Sequence, residues 1–209
     1  LGLSLGTPGG VDESTLREFN RVASAADARW VSEHVAFTRT VEVDFGHLNP
    51  VRSDDATLLG MAERARRVRE RCGRPLLLEN IASHLRPDGT MGEPEFLREL
   101  CDRSGCGLLV DVTNLYVNSK NFGFDPFRWI AALDPLHIRQ LHVVGYSKSA
   151  DRFEDYHAEP VQPELGALVQ AAVAQGEVEA VILERDDHFG TLPDLVRELL
   201  AIRRWCGIS

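Results

Sequence analysis

Gly107-Leu108-Leu109-Val110-Asp111-Val112-Thr113-Asn114 is the stretch whose reading decides the fold. An unbroken apolar run of this kind reads as a strand buried on both faces, the pattern of a parallel sheet. It delivers a carboxylate, Asp111, and then an amide, Asn114, to its C-terminal end. A buried carboxylate is costly unless it is paired or binds a cation. The turn-prone Asn118-Ser119-Lys120-Asn121-Phe122-Gly123 follows. The same design recurs on either side. The run 28–36 carries Glu33-His34, the run 75–78 ends in Glu79-Asn80, the run 138–141 ends in His142, and the run 178–183 ends in Glu184 and Asp186.

The steps between these ends are regular. His34 to Glu79 is 45 residues, Glu79 to Asp111 is 32, Asp111 to His142 is 31 and His142 to Glu184 is 42. A strand, a helix and their two connections need about 30 residues or more. Each step is therefore one βα unit, and alternating units predict a parallel sheet. Polar side chains at the C-terminal strand ends then converge on one face, where α/β barrels hold their active sites. The fold class predicted is α/β, a TIM-type barrel lacking its first strand or strands, with residues 1–209 as one incomplete metal-binding domain.

Composition narrows the function. The net charge of -9 argues against a general polyanion binder. The Arg-rich stretches 64–71 and 203–204 lie in helical patterns as solvated faces. The four cysteines, Cys72, Cys101, Cys106 and Cys206, form no CxxC pair and read as structural thiols in a reducing compartment. No apolar run reaches the ~18 residues of a membrane span, and no signal peptide is visible. A cytoplasmic protein without nucleic-acid or membrane partners is expected.

In chain order, 1–6 reads as the tail of a strand and 12–26 as a helix with Leu16, Phe19, Val22, Ala23 and Ala26 on one stripe. A strand over 29–36 follows, then a long loop over 38–52. A helix from Asp54-Asp55 to Cys72 is ended by Gly73 and Pro75, and 76–79 is the next strand. A loop at 82–92, a helix at 93–104, the central strand at 107–114, a short helix from Asp125-Pro126 to Leu133 and a strand at 138–145 come next. The segment 146–163 reads as a loop whose acidic stretch 151–159 lies over the site, with 146–160 mobile until metal orders it. A helix at 164–175, a strand at 178–186 and a final helix from Thr191 or Asp194 complete the series. That last helix should turn Leu195, Val196, Leu199, Leu200 and Ile202 inward. Five whole strands are counted, with the tail of one before them.

The candidate ligands are His34, Glu79, Asp111, Asn114, His142, Asp155, His157, Glu184 and Asp186. Singly, each has an ordinary explanation: a core histidine, a helix cap, an Asx turn or a surface charge. Five buried strands all ending in ligand types would be an expensive arrangement without function. A His and carboxylate set with no thiolate suits iron, manganese or another ion of intermediate hardness, and there are enough ligands for two.

At these residues the chain resembles the multinuclear non-heme iron-dependent oxidative enzymes, which include the iron subunit of methanobactin biosynthesis. The resemblance is carried by Val31-Ser32-Glu33-His34, Leu76-Leu77-Leu78-Glu79-Asn80, the segment 109–118 with Gly123-Phe124-Asp125-Pro126, Leu141-His142-Val143-Val144-Gly145, Asp155-Tyr156-His157 and Ile182-Leu183-Glu184-Arg185-Asp186. Gly2-Leu3-Ser4-Leu5-Gly6 also fits, and the match runs to about Arg204. It implies a (β/α)8 barrel related to xylose isomerase that holds two or three irons. It further implies dioxygen as co-substrate, a ribosomally made peptide, often modified at cysteine, as substrate, and a possible peptide-recognition partner protein. By motif, His34, Glu79, Asn114, His142, His157 and Glu184 match metal-binding positions. Asp111, Asp155 and Asp186 match acidic positions of the same site. The chain departs from the pattern at Thr113, where Asn is usual, and at Val143-Val144-Gly145-Tyr146, where Leu-Ala-Gly-His is usual. A further His ligand of the family falls before residue 1. The alternatives are a divalent-metal sugar isomerase or phosphodiester lyase on the same barrel, and a non-catalytic binding protein.

Overall fold

Capped helices alternate with short strands along the whole chain, and a computed structural model describes residues 2–208. The main sheet orders its strands 31–34, 76–79, 107–111, 138–143 and 180–183, which follows their order in the chain. Sheets wound in one direction in this way close into barrels, whereas doubly wound sheets reverse their order. Two compact units divide the chain, Leu1–Leu108 and Leu109–Ser209, and the border falls inside one strand.

In the first unit, α1 (Glu13–Ala25) leads to β1 (Val31–His34). Then come β2 (Ala36–Arg39), β3 (Asp44–Pro50), α2 (Asp55–Cys72), β4 (Leu76–Glu79) and α3 (Glu93–Ser104). Asp12 and Asp54 cap α1 and α2, each accepting from the backbone N–H three residues on. Strands β1 and β4 pair in parallel, with His34 opposite Glu79. Leu76, Leu77 and Leu78 of β4 are buried, as are Leu58, Met61 and Val68 of α2 and Phe96 and Leu100 of α3. Gly105 ends α3 at φ +67, and a Cβ there would also strike the Arg69 guanidinium.

In the second unit, β5 (Gly107–Asp111) runs directly into α4 (Val112–Phe122). After α5 (Pro126–Ala131) come β6 (Ile138–Val143), β7 (Gly145–Ser149), β8 (Arg152–Glu159), α6 (Leu165–Gln175), β9 (Ala180–Leu183) and α7 (Leu192–Trp205). Strands β6 and β9 pair in parallel. Val110, Leu115, Ile130, Ile138, Leu141, Leu165 and Val169 make the core. Among the described residues no helix is long and apolar enough to cross a membrane.

Six expectations need correction. The central strand stops at Asp111, because its carboxylate accepts from Asn114 N–H at 2.6 Å and starts a helix there. Thr113, Asn114 and the Asn-rich stretch after them are therefore helical. The segment 38–52 is no simple loop: β2 and β3 pair as an antiparallel hairpin. The segment 146–163 contains a second hairpin, β7 with β8. The run 29–36 splits at Val35 into β1 and β2.

The segment 2–6 forms turns rather than a strand, although Leu3 and Leu5 are fully buried; residue 1 lies outside the described residues. Finally, α7 buries Ile202 but leaves Val196, Leu199 and Leu200 exposed, and Ile182 of the edge strand β9 is exposed too. A periodic stripe shows which face is apolar, and burial needs a neighbour to cover it.

Candidate metal centre

In the second unit the β5–α4 junction places Asp111 at the bottom of a polar cluster, fully buried. Strand β6 brings His142, and Glu184 follows directly on β9, its N–H donating to the carbonyl of Val143. Asp111, His142 and Glu184 offer ligand atoms all within 4.8 Å of one another. The Nδ1 of His142 lies 2.8 Å from a Glu184 carboxylate oxygen. Its Nε2 lies 2.7 Å from the amide nitrogen of buried Gln140, two residues back on the same strand face.

The hairpin builds a second group from the same Asp111 together with Asp155 and His157, again within 4.8 Å. Asp155 Oδ2 meets His157 Nε2 at 2.8 Å. The other ring nitrogen, buried and without a hydrogen bond, faces Asp186 at 3.2 Å and Glu184 at 3.8 Å. This imidazole is pushed up to about 9. The hydrogen bond to Asp155 is the main cause, burial opposes it, and the charges of Asp155, Glu184 and Asp111 add to it. His157 also sits at φ +54, outside the region a residue with a Cβ prefers. Its carbonyl accepts from Asp186 and Asp187 N–H, which ties the hairpin to the segment after β9.

Asn114 is buried in the first turn of α4, three residues past Asp111. Asp186 is largely exposed, at 74%. The two departures from the family pattern are structurally absorbed. The Thr113 hydroxyl both donates to Val144 C=O and accepts from Val144 N–H. Tyr146 packs on Tyr116 and Phe153 and donates to Glu164, and burial foremost, then that bond, raises its phenol.

In the first unit His34 and Glu79 end paired strands, and His34 Nε2 is 3.5 Å from Glu79. Glu33, at 4% exposure, accepts from Leu3 N–H and from His34 N–H and lies 3.5 Å from His34 Nδ1. Burial would raise its carboxyl, and the bonds it accepts, from His34 foremost and then Leu3, work to lower it.

Two residues of these sites escape sequence reasoning, Gln140 and Asn121, while Glu33 was read at its strand end beside His34 but not among the candidate ligands. Gln140 had a signal, since it shares a strand face with His142. Asn121 had none, because its partner Phe153 is 32 residues away.

The donor set fits a metal. Each group brings carboxylate and imidazole atoms together, as a shared ion requires at bond lengths of about 2.0–2.2 Å. Acidic groups this close and this buried call for a cation between them. All four cysteines are free, three of them buried, and burial raises Cys106, so none competes as a ligand here.

Residues 1–206 match the family described as RiPP precursor modification enzyme MbnB/TglH/ChrH. A UPF0276 protein of Caulobacter vibrioides is 34% identical over 209 residues, spanning 99% of this chain and 75% of that protein. A UPF0276 protein of Pseudomonas aeruginosa is 34% identical over 205 residues, spanning 97% and 72%. Among solved structures, a D-tagatose 3-epimerase-like protein superposes with a TM-score of 0.57 at 14% identity, covering 93% of this chain and 69% of that one. A xylose isomerase domain protein of Alicyclobacillus acidocaldarius gives 0.55 at 16%, covering 93% and 71%. At such identities the likeness shows the fold alone. That fold is the xylose-isomerase-like TIM-type barrel, and the five sheet strands with their intervening helices are part of one.

Proposed function

The chain belongs to the RiPP precursor modification enzyme family MbnB/TglH/ChrH, and from that premise we propose that it is an iron-dependent enzyme that uses dioxygen to oxidise a residue, cysteine foremost, of a ribosomally made peptide. The observation that carries the reading is the buried carboxylate and imidazole cluster around Asp111. The ligands proposed are His34, Glu79, Asn114, His142, His157 and Glu184, carried over by motif, for two or three irons. Asp111, Asp155 and Asp186 are the acidic groups proposed to act with them, and residues 1–209 are read as one barrel domain.

Bound iron would supply the electrons for dioxygen and a coordination position for a substrate thiolate. The protein's own part follows from its geometry. Gln140 fixes the His142 ring, and Asp155 holds a proton on His157 Nε2, so that Nδ1 is the nitrogen offered to the cluster. His157 must give up a proton before it can act as a ligand, and neighbouring Asp186 and Glu184 are placed to take it. The carboxylates offset the ions' charge, and Asp111 holds its place by capping α4.

The substrate would meet the enzyme in the cytoplasm, where peptides are made on ribosomes and thiols stay reduced. A partner protein would supply peptide recognition. The sugar-isomerase and lyase readings draw on the fold, which says nothing of the reaction at 11–16% identity.

Elemental analysis of anaerobically purified protein tests the reading, followed by exposure of the loaded protein to air with a cysteine-containing precursor peptide. Stoichiometric iron, visible colour and a mass change in the peptide are expected. Tight uptake of magnesium or zinc in preference to iron, with no oxygen consumption, would overturn it.

A further inference from the structure

Helix α4 and strand β8 lie side by side, and one amide joins them at the end away from the site. Asn121, the penultimate residue of α4, donates from Nδ2 to the carbonyl of Phe153 at 2.8 Å and accepts from Phe153 N–H at 3.0 Å. The pair imitates a rung of a β-ladder, with a side chain in place of the second strand. Phe153 is fixed further by its ring, 6.1 Å from Tyr116 and 5.4 Å from Tyr146.

The lengths on either side of this rung agree. From Asn121 back to Asp111 is ten residues of helix, about 15 Å at a rise of 1.5 Å per residue. From Phe153 forward to His157 is four residues of strand, about 13 Å at 3.3 Å each. A tie at Asn121–Phe153 therefore brings His157 level with Asp111 at the other end of the helix, with Asp155 two residues short of it and its carboxylate on the His157 ring. Those three are the members of the second ligand group. The group combines a helix cap with a hairpin; the hairpin's ladder sets β7 against β8, Thr113 ties Val144 to the first turn of α4, and Asn121 is the tie made by β8 itself at the far end of the helix.

We infer that Asn121 is a positioning residue for the metal centre: its amide sets the register of β8 along α4 and so the distance from Asp155 and His157 to Asp111. The inference rests on the reading of His157 as a ligand with Asp111 and Asp155 acting beside it. The requirement is specific for a primary amide, which alone offers a donor and an acceptor side by side. Aspartate keeps the acceptor but sets a carboxylate oxygen against the Phe153 carbonyl. Alanine removes both bonds.

The test uses the full chain, with Asn121→Ala, Asn121→Asp and a neighbouring control, Lys120→Ala. Ferrous ion affinity is measured anaerobically by competition with a chelator, well below each variant's melting temperature. Exchange of the Phe153 amide hydrogen is followed in the same samples. Groups that support ligands typically contribute 10–100-fold in metal affinity. Both Asn121 variants should bind ferrous ion 10–100-fold more weakly and lose protection at Phe153, with far-ultraviolet dichroism unchanged, while Lys120→Ala matches the parent. A parent chain that binds metal while Asn121→Ala and Asn121→Asp bind it equally well overturns the inference alone. A parent chain that binds no metal overturns the proposed function and this inference with it.

Discussion

Replacing Glu198 with alanine removes one partner of a buried ion pair. Arg185 Nη2 donates to Glu198 Oε2 at 2.6 Å, with side-chain exposures of 4% and 12%. The same oxygen accepts from Val161 N–H at 2.8 Å, and Arg185 Nη1 reaches the carbonyls of Ala158 and His188. Glu198→Ala therefore leaves a guanidinium charged in a site that water barely enters. Stranding one partner of such a pair costs about 3–5 kcal/mol. At about 2–4 °C per kcal/mol for a chain of this size, the melting temperature should fall by roughly 6–20 °C.

The mechanism, rather than the mere loss of a contact, is tested by two companions. Glu198→Gln keeps an acceptor for both donors and should lose about half as much or less. Arg185→Met with Glu198→Leu removes both charges together and should recover most of the stability, since apolar replacement of a buried pair is often neutral. Urea unfolding followed by circular dichroism gives the free energies. A Glu198→Ala loss under about 1 kcal/mol, or a double variant less stable than the single, would refute the reasoning. Arg185 lies between Glu184 and Asp186, and Ala158 follows His157, so the pair also holds the site's frame.

Metal loading should rise with pH: the metal-free His157 is held near 9, so below that pH metal must displace its proton, and calorimetry in buffers of different ionisation enthalpy should detect about one proton released from His157 per chain loaded. Flat affinity between pH 7 and 9 would contradict this. The sign reverses for the metal-free fold: a folded value raised from 6.5 to about 9 stabilises below 6.5, and that contribution fades as pH climbs to 9, so the metal-free melting temperature should fall across the window. Glu184→Ala and Gln140→Ala should each weaken iron binding by about 10–100-fold while leaving helix content intact, and unchanged iron content would remove either residue from the site. The β7–β8 hairpin should protect its amides from exchange even without metal, because its ladder and the Asn121 bonds hold it; exchange as fast as in an unfolded peptide would restore the picture of a loop ordered by metal.

The βα succession was legible because each strand of the main sheet is a short run rich in apolar residues and several helices carry their caps in local sequence, Asp54 and Gly73 around α2 being the plainest case. The ligand types at the strand ends were legible for the same reason: strand ends are set by local sequence. The hairpins were not. Strand β3 is exposed on both faces over residues 44–47, β2 alternates in burial but over four residues only, and β8 is half-buried along most of its length, so no sustained two-residue alternation marks the hairpins. The helix start at Asp111 was hidden because Val112-Thr113 favours strand by propensity, and the cap hydrogen bond overrides that. Likewise Asn121 looked like a turn residue until its partner across the fold was known.

Asp111 serves two demands at once, a side-chain acceptor for the first turn of α4 and a carboxylate for the cluster. Helix caps admit Ser, Thr, Asn, Asp and Gly, whereas a hard-ion carboxylate can be only Asp or Glu. The two sets overlap in a single amino acid. A library randomised at this codon and selected only for folding should return several residues, Asn and Ser among them. Selection for catalysis should return aspartate alone, a narrowing that neither demand would impose without the other.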